Sequence, residues 1–304
     1  MLKYFFMKKL LVKIFRKCRF LFLNKYLEKV LVKFTQNKFH SNIISYLCPL
    51  YYHYPLNTIR TINRDGIKLQ LDLSDYNQNE VYFGIKWHDV LRKCINLIDE
   101  NDIVFDVGTN FGYYLLKFGQ KANKGKVIGF EPFKKSYDIC LNEIKLNPNF
   151  PIKLENIGLG ETDKLTYLLS NVNNSGENRI LFENEKNKNN ENVFEIKISS
   201  IDNYCQINFI ERINFIKIDT EGYEWKVILG AKKIIENFLP IICLEINEEN
   251  LKKQGDSFSD IFKYFKNLGY LIFNGNSNEE ILQPLNLINL DVFLIHPNLG
   301  KKLY

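Results

Sequence analysis

The stretch VFDVGTNFGYYLL, residues 104–116, limits what this chain can fold into more than any other, because two glycines join an apolar run to a helical one. Ile103 to Phe105 read as a buried strand, and a helix is expected to begin near Phe111. Gly108 can take backbone angles closed to other residues, and Gly112 lets the helix lie close to sheet or ligand. Asp106 falls at the carboxyl end of the strand, where open α/β sheets bind their ligands. The pattern is D-x-G-x-x-x-G, without the third glycine of a dinucleotide fingerprint. A pyrophosphate needs free backbone N–H groups at a helix start. A carboxylate in that position repels phosphate and attracts a cationic or amino-bearing ligand.

A second short apolar strand, KVIGFEP, ends in Glu131, 25 residues after Asp106. An acid at that distance is where such folds hydrogen-bond a ribose diol. The competing reading is a helix-entry residue before Pro132. At 304 residues and 45% hydrophobic, the chain can bury one large core. Its six cysteines and four histidines are scattered, with no C-x-x-C pair, which argues against a zinc site or a disulfide framework; no metal is expected.

Charge divides the chain. Residues 1–40 carry eleven Lys or Arg against Glu28 alone, so this arm is +10 in a chain of +6 and the remainder is −4. Residues 1–56 are expected to form a basic amphipathic helical arm, with Lys25, Lys29 and Lys33 on one helical face. No apolar run is long enough to span a bilayer, and lysines interrupt any signal-peptide core. Two readings stand level: the arm lies on an anionic membrane surface, or its apolar face packs on the main domain. RNA binding is disfavoured, since no recognition motif accompanies the charge. The expected location is cytoplasmic, peripheral to the inner membrane face.

Residues 57–304 read as one α/β domain. A hairpin turns at Asp65-Gly66, and a helix spans roughly 86–98 before the central strand. A helix over 133–146 and a strand within 152–160 follow. Residues 165–198 form a β-rich insertion containing the Asn-rich tract NEKNKNNEN, read as a mobile loop. INFIKIDTEGYEWKVILGAKKIIENF repeats the strand–turn–helix logic over 213–238, and PIICLEIN is a buried strand ending near Glu245. Strands over 270–275 and 291–297 close the sheet as an antiparallel pair. Parallel strands share a carboxyl edge, so Asp106, Glu131, Asp219 and Glu245 are expected on one rim. Four carboxylates there suit a cationic ligand, a diol, a metal or acid–base work. Glu221 and Glu224 can instead offset a helix dipole.

These segments resemble the FkbM-type family of S-adenosylmethionine-dependent methyltransferases. VFDVGTNFGYYLL is similar to the family's glycine motif, FEPFKKSYDICLNEIKLN to its second-strand acid and helix, and NIGLG to its third-strand turn. The specific part is FIKIDTEGYEWKVILGA, which resembles the K-I-D-x-E-G-x-E segment. The resemblance implies a Rossmann-like class I methyltransferase sheet with S-adenosylmethionine as cofactor. Asp106, Gly108, Asn110 and Gly112 would surround its methionine portion, Glu131 its ribose, and Asn156 to Gly158 its adenine side. Asp219 and Glu221 would flank the transferred methyl, with Asp219 the first candidate for general base and Glu221 the second. His88 would serve if the amino-terminal helix closes over the site; the competing reading of a lone histidine is structural. The implied acceptor is a sugar hydroxyl of a cell-surface glycan or glycolipid. The alternatives are a soluble secondary metabolite and a donor-binding protein without catalysis. A P-loop ATPase is disfavoured, because the glycines near Lys126 are one residue too far apart and Val127 replaces the hydroxyl residue.

Overall fold

The structure, a computed structural model, describes residues 12–36, 44–85, 88–171, 174–182, 185, 191–284 and 289–303. The chain divides into two compact units, residues 1–87 with 173–175, and residues 88–172 with 176–304. Among the described residues, no helix is long and apolar enough to cross a membrane.

In the first unit, helix α1 (Lys25–Gln36) precedes a hairpin of β1 (Ile59–Arg64) and β2 (Ile67–Asp72). The hairpin turns where expected, at Asp65 and Gly66, whose φ values of 51° and 84° suit a tight two-residue loop. Ile67, Leu69 and Leu71 alternate inward and are buried, while Lys68 and Gln70 face out. Helix α2 (Tyr76–Phe83) follows the hairpin and has no counterpart among the expected elements. Asp75 caps it by accepting from the Gln78 N–H at 3.0 Å. Its first turns bury Asn77, Gln78, Asn79 and Glu80, so no apolar stripe announces it.

One arc of α1 packs into this unit: Glu28, Leu31, Val32 and Thr35 are buried. Glu28 lies among polar partners. Arg60 Nε donates to it at 2.7 Å, the Tyr82 hydroxyl at 2.9 Å and the Tyr54 hydroxyl at 3.3 Å. The arm's single acid is therefore its anchor.

The second unit is built on a mixed seven-stranded sheet. Its strands are β3 (Ile103–Val107), β4 (Lys126–Phe130), β5 (Ile152–Glu155), β10 (Phe215–Ile218), β11 (Ile241–Asn247), β12 (Leu271–Asn274) and β13 (Asn289–Ile295). Their order is β12-β13-β11-β10-β3-β4-β5. The five from β11 to β5 run parallel, and β13 is antiparallel to both β11 and β12, as expected. The expected insertion is a separate four-stranded sheet. In it, β6 (Gly158–Leu159), β9 (Val193–Ser199), β7 (Lys164–Leu169) and β8 (Arg179–Ile180) lie side by side. The Asn-rich tract 184–192 falls largely outside the described residues.

Side-chain alternation gives the main sheet two characters. Phe105, Val107, Ile216, Ile218, Ile242 and Leu244 belong to the large core cluster on one face. The other face carries Asp106 level with Lys217, and Lys217 level with Cys243, followed by Asp219 and Glu245 toward the strand ends. Helix α4 (Tyr113–Lys121) contacts β3, β4 and β5. Gly108, at φ 82°, carries the chain from β3 toward it. A Cβ there would sit 1.8 Å from the Asp219 carbonyl oxygen, so only glycine lets the turns after β3 and β10 approach this closely.

Replacing Arg60 by Met leaves the Glu28 carboxylate buried without its cation. The expected cost is about 3 kcal/mol, read as a lower urea midpoint. The double variant Glu28→Leu with Arg60→Met is expected to recover most of the loss. A change below about 0.5 kcal/mol for Arg60→Met would contradict this anchoring role.

Candidate functional site

Two turns at the carboxyl edge of neighbouring strands build the site. After β3, the N–H groups of Gly108 and Thr109 both donate to the Phe130 carbonyl, at 3.1 and 3.2 Å, tying this turn to the end of β4. Asn110 takes a left-handed conformation, φ 52°, and its N–H donates to Glu131 Oε2 at 2.8 Å. Glu131 Oε1 accepts from the Phe133 N–H at 2.9 Å. Glu131 thus staples one turn to the next, and each oxygen keeps a lone pair for another donor. Burial pushes its carboxyl up to about 7, against the two N–H bonds that favour the ionised form.

Asp106 is wholly buried, and among the described residues neither of its carboxylate oxygens has a hydrogen-bond partner. The neighbouring Thr109 hydroxyl donates to the Asp106 backbone carbonyl instead, at 2.9 Å. Burial raises the Asp106 carboxyl to about 6, with Lys217 opposing and Asp219 reinforcing the shift. Asn110 Oδ1 is likewise buried without a partner. The first turn therefore offers three unused acceptors. Gly112, at φ 94°, starts α4; a Cβ there would lie 2.6 Å from Cys140 Sγ, so this glycine serves helix packing.

The second turn follows β10. The Asp219 N–H donates to the Val107 carbonyl at 3.0 Å, and Lys217 Nζ binds Asp219 Oδ2 at 2.8 Å. The ammonium also lies 4.7 Å from the centre of the Tyr114 ring. Burial disfavours the charge on Lys217, but Asp219 and Asp106 outweigh it and hold the amine protonated. Asp219 and Glu245 share a hydrogen bond. Asp219 and burial together push the Glu245 carboxyl far up, so Glu245 holds the proton and donates it to Asp219. Against its own burial, Asp219 is held below the usual range by Lys217 and Glu245.

Glu221 sits at φ 54° and accepts from Asn250 Nδ2 at 3.3 Å. Burial, and then Asp219 and Glu224, raise its carboxyl to about 8. Glu224 has a different task. Its Oε1 accepts from the Thr220 N–H and hydroxyl, both at 2.9 Å, and from the Gly222 N–H at 3.1 Å, closing the turn on itself. Among the described residues, one oxygen each of Asp219, Glu221 and Glu245 lie within 4.8 Å of one another, a spacing that could hold a metal ion.

The structure thus brings Asp106, Asn110, Glu131, Asp219, Glu221 and Glu245 to one edge. Asn156 is exposed and holds the Glu131 and Pro132 carbonyls through its amide, at 2.8 and 3.1 Å, so it fixes the backbone at Glu131. Gly158 is buried against Ile198 and Pro132 and belongs to the smaller sheet. His88 opens helix α3 (His88–Leu97), and its side chain lies outside the described residues. Tyr113, Tyr114 and Tyr223 are buried, and Trp225 packs edge-on to Tyr264 at 5.7 Å.

Two residues of the site went unread in the sequence. Asp291 stands opposite Glu245 across the β11–β13 pair, its carboxyl raised to about 6 by burial and by Asp219. Lys93, buried on α3, opposes that shift and donates to the Gly275 carbonyl. Antiparallel register decides the first pairing and tertiary packing the second.

The model of the methyltransferase FkbM domain matches residues 106–272. The hexuronic acid methyltransferase AglP of Haloferax volcanii is 24% identical over 159 residues, which are 52% of this chain and 62% of that protein. Among solved structures, methyltransferase FkbM from Methylobacillus flagellatus KT superimposes with a TM-score of 0.47 at 12% identity, over 89% of this chain and 60% of that one. M. jannaschii TYW2, solved in complex with AdoMet, gives 0.38 at 13% identity, over 79% and 86%. The chain spans about three fifths of the length of the first two relatives. The family match takes in the β3 turn, Glu131, the K-I-D-x-E-G-x-E segment and β11, and by it this chain belongs to the methyltransferase FkbM domain family.

Proposed function

We propose that the chain is an S-adenosylmethionine-dependent O-methyltransferase whose acceptor is a sugar hydroxyl of a glycan or glycolipid. The observation that carries the donor is the unused acceptor set of the first turn, Asp106 Oδ1 and Oδ2 with Asn110 Oδ1. Buried acceptors without partners are rare, because each forfeits its hydration. A ligand bearing an ammonium and a sulfonium would satisfy both their hydrogen-bonding capacity and their charge. Glu131, its outer lone pairs still open, suits a ribose diol. When bound, the donor supplies an electrophilic methyl group on positively charged sulfur.

The acid edge suits an acceptor that donates hydrogen bonds, as a sugar hydroxyl does. The relative AglP, a hexuronic acid methyltransferase by name, supports a sugar acceptor. Of the two carboxylates beside the proposed transfer position, Glu221 makes the better base. Asp219 is kept ionised and of low basicity by Lys217 and Glu245. Glu221, raised to about 8, takes a proton close to working pH. Asp219 then holds negative charge and orients the acceptor, while Glu221 removes its proton. Aligning acceptor and methyl supplies much of the remaining acceleration.

Asp106→Asn removes charge without changing shape, and S-adenosylhomocysteine should then bind about ten- to a hundredfold more weakly in calorimetry; unchanged affinity would contradict the assignment. Because Glu221 must be deprotonated to act, turnover rises with pH through about 8. Glu221→Gln should remove that limb and lower kcat at least about a hundredfold with S-adenosylhomocysteine affinity intact. Survival of the limb would move the base elsewhere. Lys217 already places a cation in the cluster, so turnover is expected to withstand chelation by EDTA. Loss of activity that magnesium restores would reassign Asp219, Glu221 and Glu245 to a metal.

A further inference from the structure

Among the described residues, one arc of the arm helix α1 is packed and the apolar arc beside it is exposed. At ~100° per residue, Glu28, Leu31, Val32 and Thr35 share an arc, and these are the buried positions. The adjoining arc carries Leu27, Phe34, Val30 and Tyr26, which are 42, 62, 48 and 82% exposed. Lys33, Lys29 and Lys25 come next around the helix and are also exposed. The same mixture continues upstream. Ile14, Phe20 and Leu21 are exposed, and so are Lys13, Arg16 and Lys17.

Withdrawal of Glu28 gives this surface its sign. It is the only acid between residues 12 and 36, and it is fully buried on Arg60, Tyr82 and Tyr54. The outer surface of the described arm therefore shows large apolar side chains and cations, and no carboxylate. A bare apolar arc bordered by lysines matches a bilayer interface, where rings and aliphatic chains enter the acyl boundary and ammonium groups reach anionic headgroups. A second copy of the chain fits poorly, because a twofold contact would bring seven Lys and Arg of residues 12–36 against their equivalents. A nucleic acid would use the lysines and leave the apolar arc in water.

We propose that the outer arc of α1, Tyr26, Leu27, Val30 and Phe34 with Lys25, Lys29 and Lys33, docks on an anionic lipid surface. The attachment is independent of the methyl-transfer reading.

Co-sedimentation of the full chain with phosphatidylglycerol–phosphatidylcholine vesicles tests it, with pure phosphatidylcholine vesicles for comparison. Binding to the anionic vesicles is expected to fall as salt rises. Each Lys→Gln change at 25, 29 or 33 should lower the partition coefficient about fivefold. Val30→Ser with Phe34→Ser should abolish binding while leaving the thermal midpoint unchanged, because both side chains are solvent-facing. Phe34→Trp should shift its fluorescence to the blue on adding anionic vesicles. Binding to neither vesicle, equal binding to both, or tighter binding to homopolymeric RNA than to anionic vesicles would overturn the proposal. So would a dimer in sedimentation velocity that Phe34→Ser dissolves without any vesicle binding.

Discussion

Lys217 projects from a strand otherwise made of Phe215, Ile216 and Ile218, onto the sheet face that also bears Asp106, Asp219 and Glu245. An ammonium so buried persists only if its neighbours offset the lost hydration. Here Asp219 binds it directly, Asp106 faces it across the β3–β10 pair, and the Tyr114 ring lies over it. The reverse dependence is as strong. Without that cation, Asp106 and Asp219 would share a low-dielectric edge as like charges, and Glu245 would lose the ionised neighbour that holds its proton in place. The whole acidic edge is organised by one lysine in an apolar strand.

Around that charge arrangement the backbone is drawn tight. Gly108 allows the first turn to touch the Asp219 carbonyl, and the Asp219 N–H closes the same gap by bonding to Val107. Two glutamates then fasten the turns, Glu131 joining the β3 and β4 ends and Glu224 folding its own loop. Groups so held have little freedom left, and the acceptors left unbonded at Asp106 and Asn110 are held in place. In the proposed transfer, charge fixed in this way would need no reorganisation.

Local signals carried most of what could be read in advance. The glycine turn at 108–112, the Asp65-Gly66 hairpin and the alternation of IKLQLDL are written in neighbouring residues and were legible. So was the shared edge of Asp106, Glu131, Asp219 and Glu245, because parallel strands force it. Other features needed tertiary partners. Helix α2 buries four polar side chains in a row and so shows no stripe. The expected single helix after β10 breaks at Gly230, where a Cβ would lie 1.9 Å from the Gly160 carbonyl. Asp291 joins the acids only through antiparallel register. Lys217 is a lone charge inside an apolar strand, and the fold supplies its partner, Asp219. For the arm, a packed face and a free apolar face read as alternatives in the sequence; among the described residues α1 has a packed arc beside an exposed apolar one.

As proposed, this carboxylate edge takes the ammonium and nucleoside of a methyl donor and rejects a dinucleotide pyrophosphate. Titration calorimetry of the full chain with S-adenosylhomocysteine and, separately, with NAD addresses it directly. Saturable binding of S-adenosylhomocysteine and none of NAD is expected; binding of NAD alone would refute the proposed donor.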